Sequence, residues 1–165
     1  MEPITDPQQI QQALGWIVAL LERHHVPYQL VGGLAAQAYG ARRPLIDIDL
    51  YAPFDQAPAA LAELAPYLTR PPGPHRSAAW QLDYLALTYA GVEIEIGDSQ
   101  TDPRFYNVRD QRWEPQVIDY AASNWVNLYG VSVAVMPRAE LLRYKAMLAR
   151  AVDHQDIAQM NLPGE

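Results

Sequence analysis

The sequence predicts one α/β (α+β) domain, a mixed β-sheet flanked by helices. Three observations lead there. Helical and strand periodicities alternate along the chain without a repeat or a linker. The length, 165 residues, suits a single domain spanning 1–165. Half of the residues are apolar and 19% are charged, so a full core can form and global disorder is excluded.

Asp6-Pro7 reads as an N-cap followed by proline at the first helical position. Ile10, Leu14, Ile17 and Leu21 then share one helical face. Tyr28–Val31 is a short buried strand, broken by Gly32-Gly33, and Leu34–Tyr39 is a short helix stopped by Gly40. Leu45–Tyr51 alternates strictly, with Ile46, Ile48 and Leu50 on one side and Asp47, Asp49 and Tyr51 on the other. Asp55 is expected to cap a helix reaching Leu68 with Leu61, Leu64 and Leu68 inward. Thr69–Ser77, TRPPGPHRS, reads as a loop because of its prolines. Trp80–Tyr89 and Val92–Ile96 form a hairpin around Ala90-Gly91, and Gly97–Gln116 is polar and irregular. Asn124–Val135 is a strand pair turning near Gly130, Pro137 opens a helix, and a last helix begins near Asp153.

Composition excludes several chemistries. The absence of cysteine removes disulfides, thiolate metal sites and thiol nucleophiles. No apolar run is long enough to span a membrane, and the polar start MEPITDPQQIQQ is unlike a secretion signal, which makes the cytoplasm the default location. A net charge of −7 argues against an extensive nucleic-acid footprint. The four tryptophans, at 16, 80, 113 and 125, are core or cleft wall before they are base-stacking platforms.

The chemistry lies in the acidic strands. Asp47 and Asp49 share one strand face, ~7 Å apart, and Glu93 and Glu95 repeat the arrangement on a later strand. If the two strands are neighbours, the carboxylates converge and raise each other's pKa. A divalent cation relieves that crowding, and Mg2+ prefers carboxylate oxygens and bridges to phosphates. One such strand alone is more often an ordinary solvated face. The upstream Gly32-Gly33 turn changes the balance, because bare backbone at a helix start can approach a phosphate.

The segment VGGLAAQAYGARRPLIDIDLYAP resembles the signature of the DNA polymerase β-like nucleotidyltransferase superfamily, a Gly-Gly turn, a short helix and an Asp-x-Asp strand. It is similar above all to the AbiEii-like and lincosamide-nucleotidyltransferase-like subgroup. Arg43 matches the arginine four residues before the first aspartate, and Leu45 replaces a frequent threonine. PRAELLRYKAMLARAVDHQDI resembles the subgroup's helical segment, with Lys145, Arg150, Asp153 and Asp156 in the matching places and Val152 where a lysine is usual. The stretch between, Phe54 to Val135, matches only as a general strand pattern.

The resemblance implies a mixed-sheet nucleotidyltransferase fold and transfer of a nucleoside monophosphate from an NTP with Mg2+ or Mn2+. It implies that Asp47, Asp49 and a third carboxylate, Glu95 in preference to Glu93, hold the metal. It implies that Gly32, Gly33, Arg43, Lys145 and Asp153 bind nucleotide. Lys145 shares a helical arc with Leu141 and Leu148. From there it either meets a carboxylate or points into the cleft, where the four acids hold it charged against the triphosphate. Arg42, Arg70, His75 and Arg76 are weaker anion-binding candidates, and His24-His25 and His154 read as surface. The competing reading is a catalytically silent nucleotide-binding or interaction module, such as one half of a toxin–antitoxin pair. The acceptor (small molecule, tRNA or protein) stays open, and a homodimer could supply its recognition.

Overall fold

A computed structural model describes residues 2–161; Met1 and 162–165 of the expected 1–165 domain lie outside the described residues. Helix α1 (Pro7–Arg23) starts where the sequence places it, with the Asp6 side chain accepting from the Gln8 N–H. Its face of Ile10, Leu14, Ile17 and Leu21 is buried against the sheet. Strand β1 (Gln29–Val31) leads directly into α2 (Gly32–Ala38), and β2 is Asp47–Ala52. The other elements are α3 (Pro58–Leu64), β3 (Leu68–Arg76), β4 (Trp80–Tyr89), β5 (Val92–Asp98), β6 (Arg104–Asn107), β7 (Arg112–Pro115), β8 (Asn124–Leu128), β9 (Val131–Val135), α4 (Arg138–Leu148) and α5 (Ala151–Met160).

The sheet runs β7-β6-β4-β5-β2-β1-β9-β8, with β3 paired to β4 off this path. It is mixed: β2 runs parallel to β5 and β1 to β9, while β1–β2, β3–β4 and β4–β5 are antiparallel. Alternation assigns the faces. Ile48, Leu50, Ile94, Ile96, Leu85 and Leu87 are buried in the core. Asp47, Asp49, Glu93 and Glu95 occupy the other face, which is where the cavity lies.

Four expectations need correction. TRPPGPHRS is not a loop but most of β3, because an edge strand tolerates proline and the pairing slips twice, the second time across Pro71 and Pro72. The polar stretch 97–116 contains the end of β5 and all of β6 and β7. The helix expected from Asp55 to Leu68 is broken into a 3₁₀ turn, α3 and a second turn; Pro58 opens α3 and Leu68 already belongs to β3. Ile46 precedes β2 and is 41% exposed, and Leu45 is the buried neighbour, bridged to Ile4.

Helix α5 is held over the cavity face by a buried ionic network. Asp156 accepts from Arg43 Nε and Nη2 at 2.7 and 3.0 Å and from Lys145 Nζ at 2.9 Å. Asp153 lies 3.5 Å from the same Nζ and accepts from the Arg150 backbone and side chain, closing the α5 N-terminus. Removing one partner of a buried pair leaves an uncompensated charge. Asp156→Ala therefore lowers unfolding stability by about 3–5 kcal/mol, whereas Glu63→Ala, which breaks the exposed Arg23–Glu63 pair, costs about 1 kcal/mol or less; urea unfolding of the two variants measures the contrast.

Candidate active site

The parallel pairing of β2 and β5 sets Asp47 beside Glu93 and Asp49 beside Glu95. All four acids therefore project from adjacent positions on one face. Asp47, Glu93 and Glu95 each offer an oxygen within 4.8 Å of the other two. Asp49 joins them through side-chain hydrogen bonds to Asp47 and Glu95, contacts that require a shared proton. So the third-carboxylate choice between Glu93 and Glu95 is met by both residues standing in the cluster, with Glu95 lining the cavity.

Electrostatics follow from that crowding. Burial, then the charges of Asp47 and Glu95, hold the Asp49 carboxyl well above the ordinary carboxylate range. Asp47 is raised by burial, which the Asp49 hydrogen bond and the charges of Arg43 and Arg150 partly oppose. Glu95 is raised by burial and by Asp47, and Glu93 by the same two causes. Glu93 Oε2 is buried with no hydrogen-bond partner. An orphaned carboxylate oxygen within an all-oxygen donor set fits a hard divalent cation.

The glycine pair sits against charged groups on both sides. Gly32 has φ +71°, and a Cβ there would lie 2.5 Å from Asp49 Oδ2. A Cβ on Gly33 would lie 2.8 Å from Arg43 Nη2. The pair thus admits Asp49 and Arg43 to the cavity edge. The Gly32 N–H donates to the Tyr144 hydroxyl at 3.0 Å.

Together these groups line a cavity of about 500 Å³. Gly32, Gly33, Arg43, Asp47, Asp49, Glu95, Lys145 and Arg150 all reach it. Lys145 lines it while 1% exposed, and its ammonium is paired with Asp156 and Asp153 rather than with the acidic strands. Of the outcomes its helical arc left open, Lys145 meets carboxylates, and they lie on α5 rather than on β2 and β5. Asp153 is fully buried and meets the cavity through Arg150 and Lys145. Of the weaker candidates, His75 lines the cavity and Arg70 lies close enough to lower Glu95. The His24 ring is paired with Glu63.

Trp80, expected as core or cleft wall, lines the cavity; sequence reasoning missed Tyr51, Tyr144, Leu82, Tyr84 and Gln116 there. Period-2 alternation from Glu95 across a β4–β5 hairpin places Trp80, Leu82 and Tyr84 on that face. Gln116, at the end of a stretch without periodicity, had no such signal.

No protein-family model matches the chain, and no curated protein matches it. Two solved structures share its fold. A Thermotoga maritima protein described as a candidate nucleotidyltransferase superposes with a TM-score of 0.71 at 17% identity, covering 95% of this chain and 94% of its own. The lincosamide antibiotic adenylyltransferase LnuA, with lincomycin bound, superposes with a TM-score of 0.61 at 15% identity, covering 96% of this chain and 98% of its own. The fold is the nucleotidyltransferase fold. Among the described residues no helix is long and apolar enough to cross a membrane.

The raised carboxyls give a signed pH dependence. The folded protein binds their protons more tightly than the unfolded chain does, so the metal-free protein loses stability as pH rises from the ordinary carboxylate range through the raised values. Lowering the pH from about 8 towards about 5 is expected to raise its melting temperature. Asp49→Asn is expected to weaken that dependence and to raise the melting temperature of the metal-free protein at neutral pH; melting curves across pH for the two proteins decide it.

Proposed function

We propose that this chain is a divalent-metal-dependent nucleotidyltransferase that moves a nucleoside monophosphate from an NTP to a hydroxyl acceptor. One observation carries the reading: Asp47–Glu93 and Asp49–Glu95 pair in register on the wall of a cavity whose edge holds Gly32-Gly33, Arg43 and Arg150. The fold shared with the two solved structures supports it.

Asp47, Glu93 and Glu95, with Asp49 beside them, would hold Mg2+ or Mn2+. Such a cation supplies charge neutralisation to phosphoryl oxygens. Arg43 and Arg150, whose charges act on Asp47, stand where the leaving pyrophosphate is met by cations. Gly32 and Gly33 leave room for the phosphate chain beside them. Glu95, which lines the cavity beside β4, accepts the proton of the attacking hydroxyl. The new oxygen–phosphorus bond forms as the bond to pyrophosphate breaks, so charge passes from the hydroxyl to the leaving group. Lys145 acts by position: paired with Asp156 and Asp153, it keeps α5 and Arg150 over the cavity. Its variant Lys145→Ala is therefore expected to lose stability together with turnover.

The test uses each NTP in turn, labelled at the α-phosphate, with Mg2+ and a cell extract. Wild type transfers label to an acceptor, and Asp47→Asn and Asp49→Asn reduce transfer by about 100-fold or more. Mg2+ and NTP together raise the wild-type melting temperature by mass action, and Asp49→Asn loses the Mg2+-dependent part. Tight NTP binding without transfer to any acceptor class would leave a silent nucleotide-binding module.

A further inference from the structure

One side of the cavity carries none of the phosphate-binding groups. Trp80, Leu82 and Tyr84 alternate along β4 and face the same way as Glu95, because Tyr84 pairs with Gly97 and Ala86 with Glu95. All three line the cavity, and Trp80 and Tyr84 are braced by neighbouring side chains. The Arg70 guanidinium lies 4.4 Å from the Tyr84 ring centroid, and the His75 ring meets Tyr84 edge-on at 5.3 Å. Trp80 packs against Phe105 and Tyr144, each at 6.1 Å between centroids. A wall fixed by packing keeps its shape before a ligand arrives.

Gln116 completes this wall. It lines the cavity just after β7, it is 3% exposed, and its Nε2 has no hydrogen-bond partner. Its backbone N–H is anchored to the Pro103 carbonyl at 2.8 Å, so the residue is held in place while its amide goes unpaired. A buried amide is costly to leave unpaired, and the cavity is where a partner can enter.

We propose that Trp80, Leu82, Tyr84 and Gln116 form the acceptor subsite, and that it takes a small, neutral, ring-bearing polyol. The proposal rests on the nucleotidyltransferase reading for its chemistry and on the wall for its specificity. In-line displacement puts the attacking and leaving oxygens on opposite sides of phosphorus. Arg43 and Arg150 gather by Asp47, so the attacking hydroxyl enters from the β4 side, past Glu95. Braced aromatic side chains offer flat apolar area to the face of a ring. A hydroxyl both donates and accepts, so it satisfies the Gln116 amide in either orientation. The acidic row beside the wall repels an anionic acceptor. A cavity of about 500 Å³ is the size of a small-molecule site.

Saturation-transfer NMR on the metal-free chain tests the subsite without requiring turnover. The probes are methyl glucoside, methyl galactoside and inositol, with glucose 6-phosphate and adenosine as controls. At least one neutral probe binds wild type and glucose 6-phosphate does not. Gln116→Leu weakens that binding about tenfold, the loss of one hydrogen bond from a buried partner, and keeps the melting shift produced by Mg2+ and NTP. Tyr84→Leu, at a part-exposed position, shows the same selective loss if Gln116→Leu does not fold. The proposal is overturned if no neutral probe binds wild type or if both variants bind it unchanged. It is also overturned if adenosine binds and Gln116→Leu abolishes the NTP shift, since the wall then holds the nucleotide base. Gln116-dependent probe binding in a protein that no NTP stabilises would keep the subsite and remove the nucleotidyl-transfer reading instead.

Discussion

Two neighbouring parallel strands hold four carboxylates in register on one face, and their mutual repulsion constrains everything around them. Asp47, Asp49, Glu93 and Glu95 are not solvated acids on an open sheet; burial raises all of them, and like charge adds to it at Asp49, Glu93 and Glu95. A fold carries such a cluster only if protons, cations or a metal offset it. Hydrogen bonds from Asp49 to Asp47 and Glu95 supply the first kind of relief, and Arg43 and Arg150 supply the second. The partnerless Glu93 Oε2 marks where neither reaches.

The cations that face the acids are themselves held from behind. Arg43 and Lys145 share Asp156, and Lys145 and Arg150 share Asp153, so three positive groups and two carboxylates form one network under α5, buried except at Arg150. A positive side chain tied in this way cannot collapse onto the nearby acidic row. The cavity therefore lies between two sets of opposite charge: the cations are paired with α5, and the acids keep an unpartnered oxygen at Glu93. Gly32 and Gly33 set the spacing at the boundary, since a methyl group on either would strike Asp49 or Arg43.

Across the acidic row the environment changes from charge to aromatic surface. The β4–β5 register turns Trp80, Leu82 and Tyr84 to the cavity, and β3 covers the far edge with Arg70 and His75. The prolines of β3 belong to this arrangement: an edge strand whose pairing slips at Pro71 and Pro72 brings the Arg70 guanidinium over the Tyr84 ring. One cavity thus has an ionic side and a largely apolar side with a single unpaired amide.

The sequence by itself determined the elements whose signals are local. Asp6-Pro7 marks the start of α1, Gly32-Gly33 separates β1 from α2, and strict alternation at 47–51 and 92–96 puts each acidic pair on one strand face. Those features carried the fold class and most of the candidate site. Tertiary structure decided what local pattern cannot encode. Alternation says that Asp47 and Asp49 share a face; only the parallel pairing of β2 with β5, strands some 40 residues apart, says that Glu93 and Glu95 stand beside them. Helical spacing turns Lys145 inward, but whether it meets the acidic strands or α5 depends on how α4 and α5 pack, and Asp156 is what it meets. TRPPGPHRS looks like a loop because proline cannot sit in a sheet interior, and it is a strand because the topology leaves β3 at an edge. Gln116 had no periodic signal at all; it follows β7, where its backbone N–H donates to the Pro103 carbonyl, and only the packing of the folded chain buries its side chain at the cavity and leaves its amide unpaired.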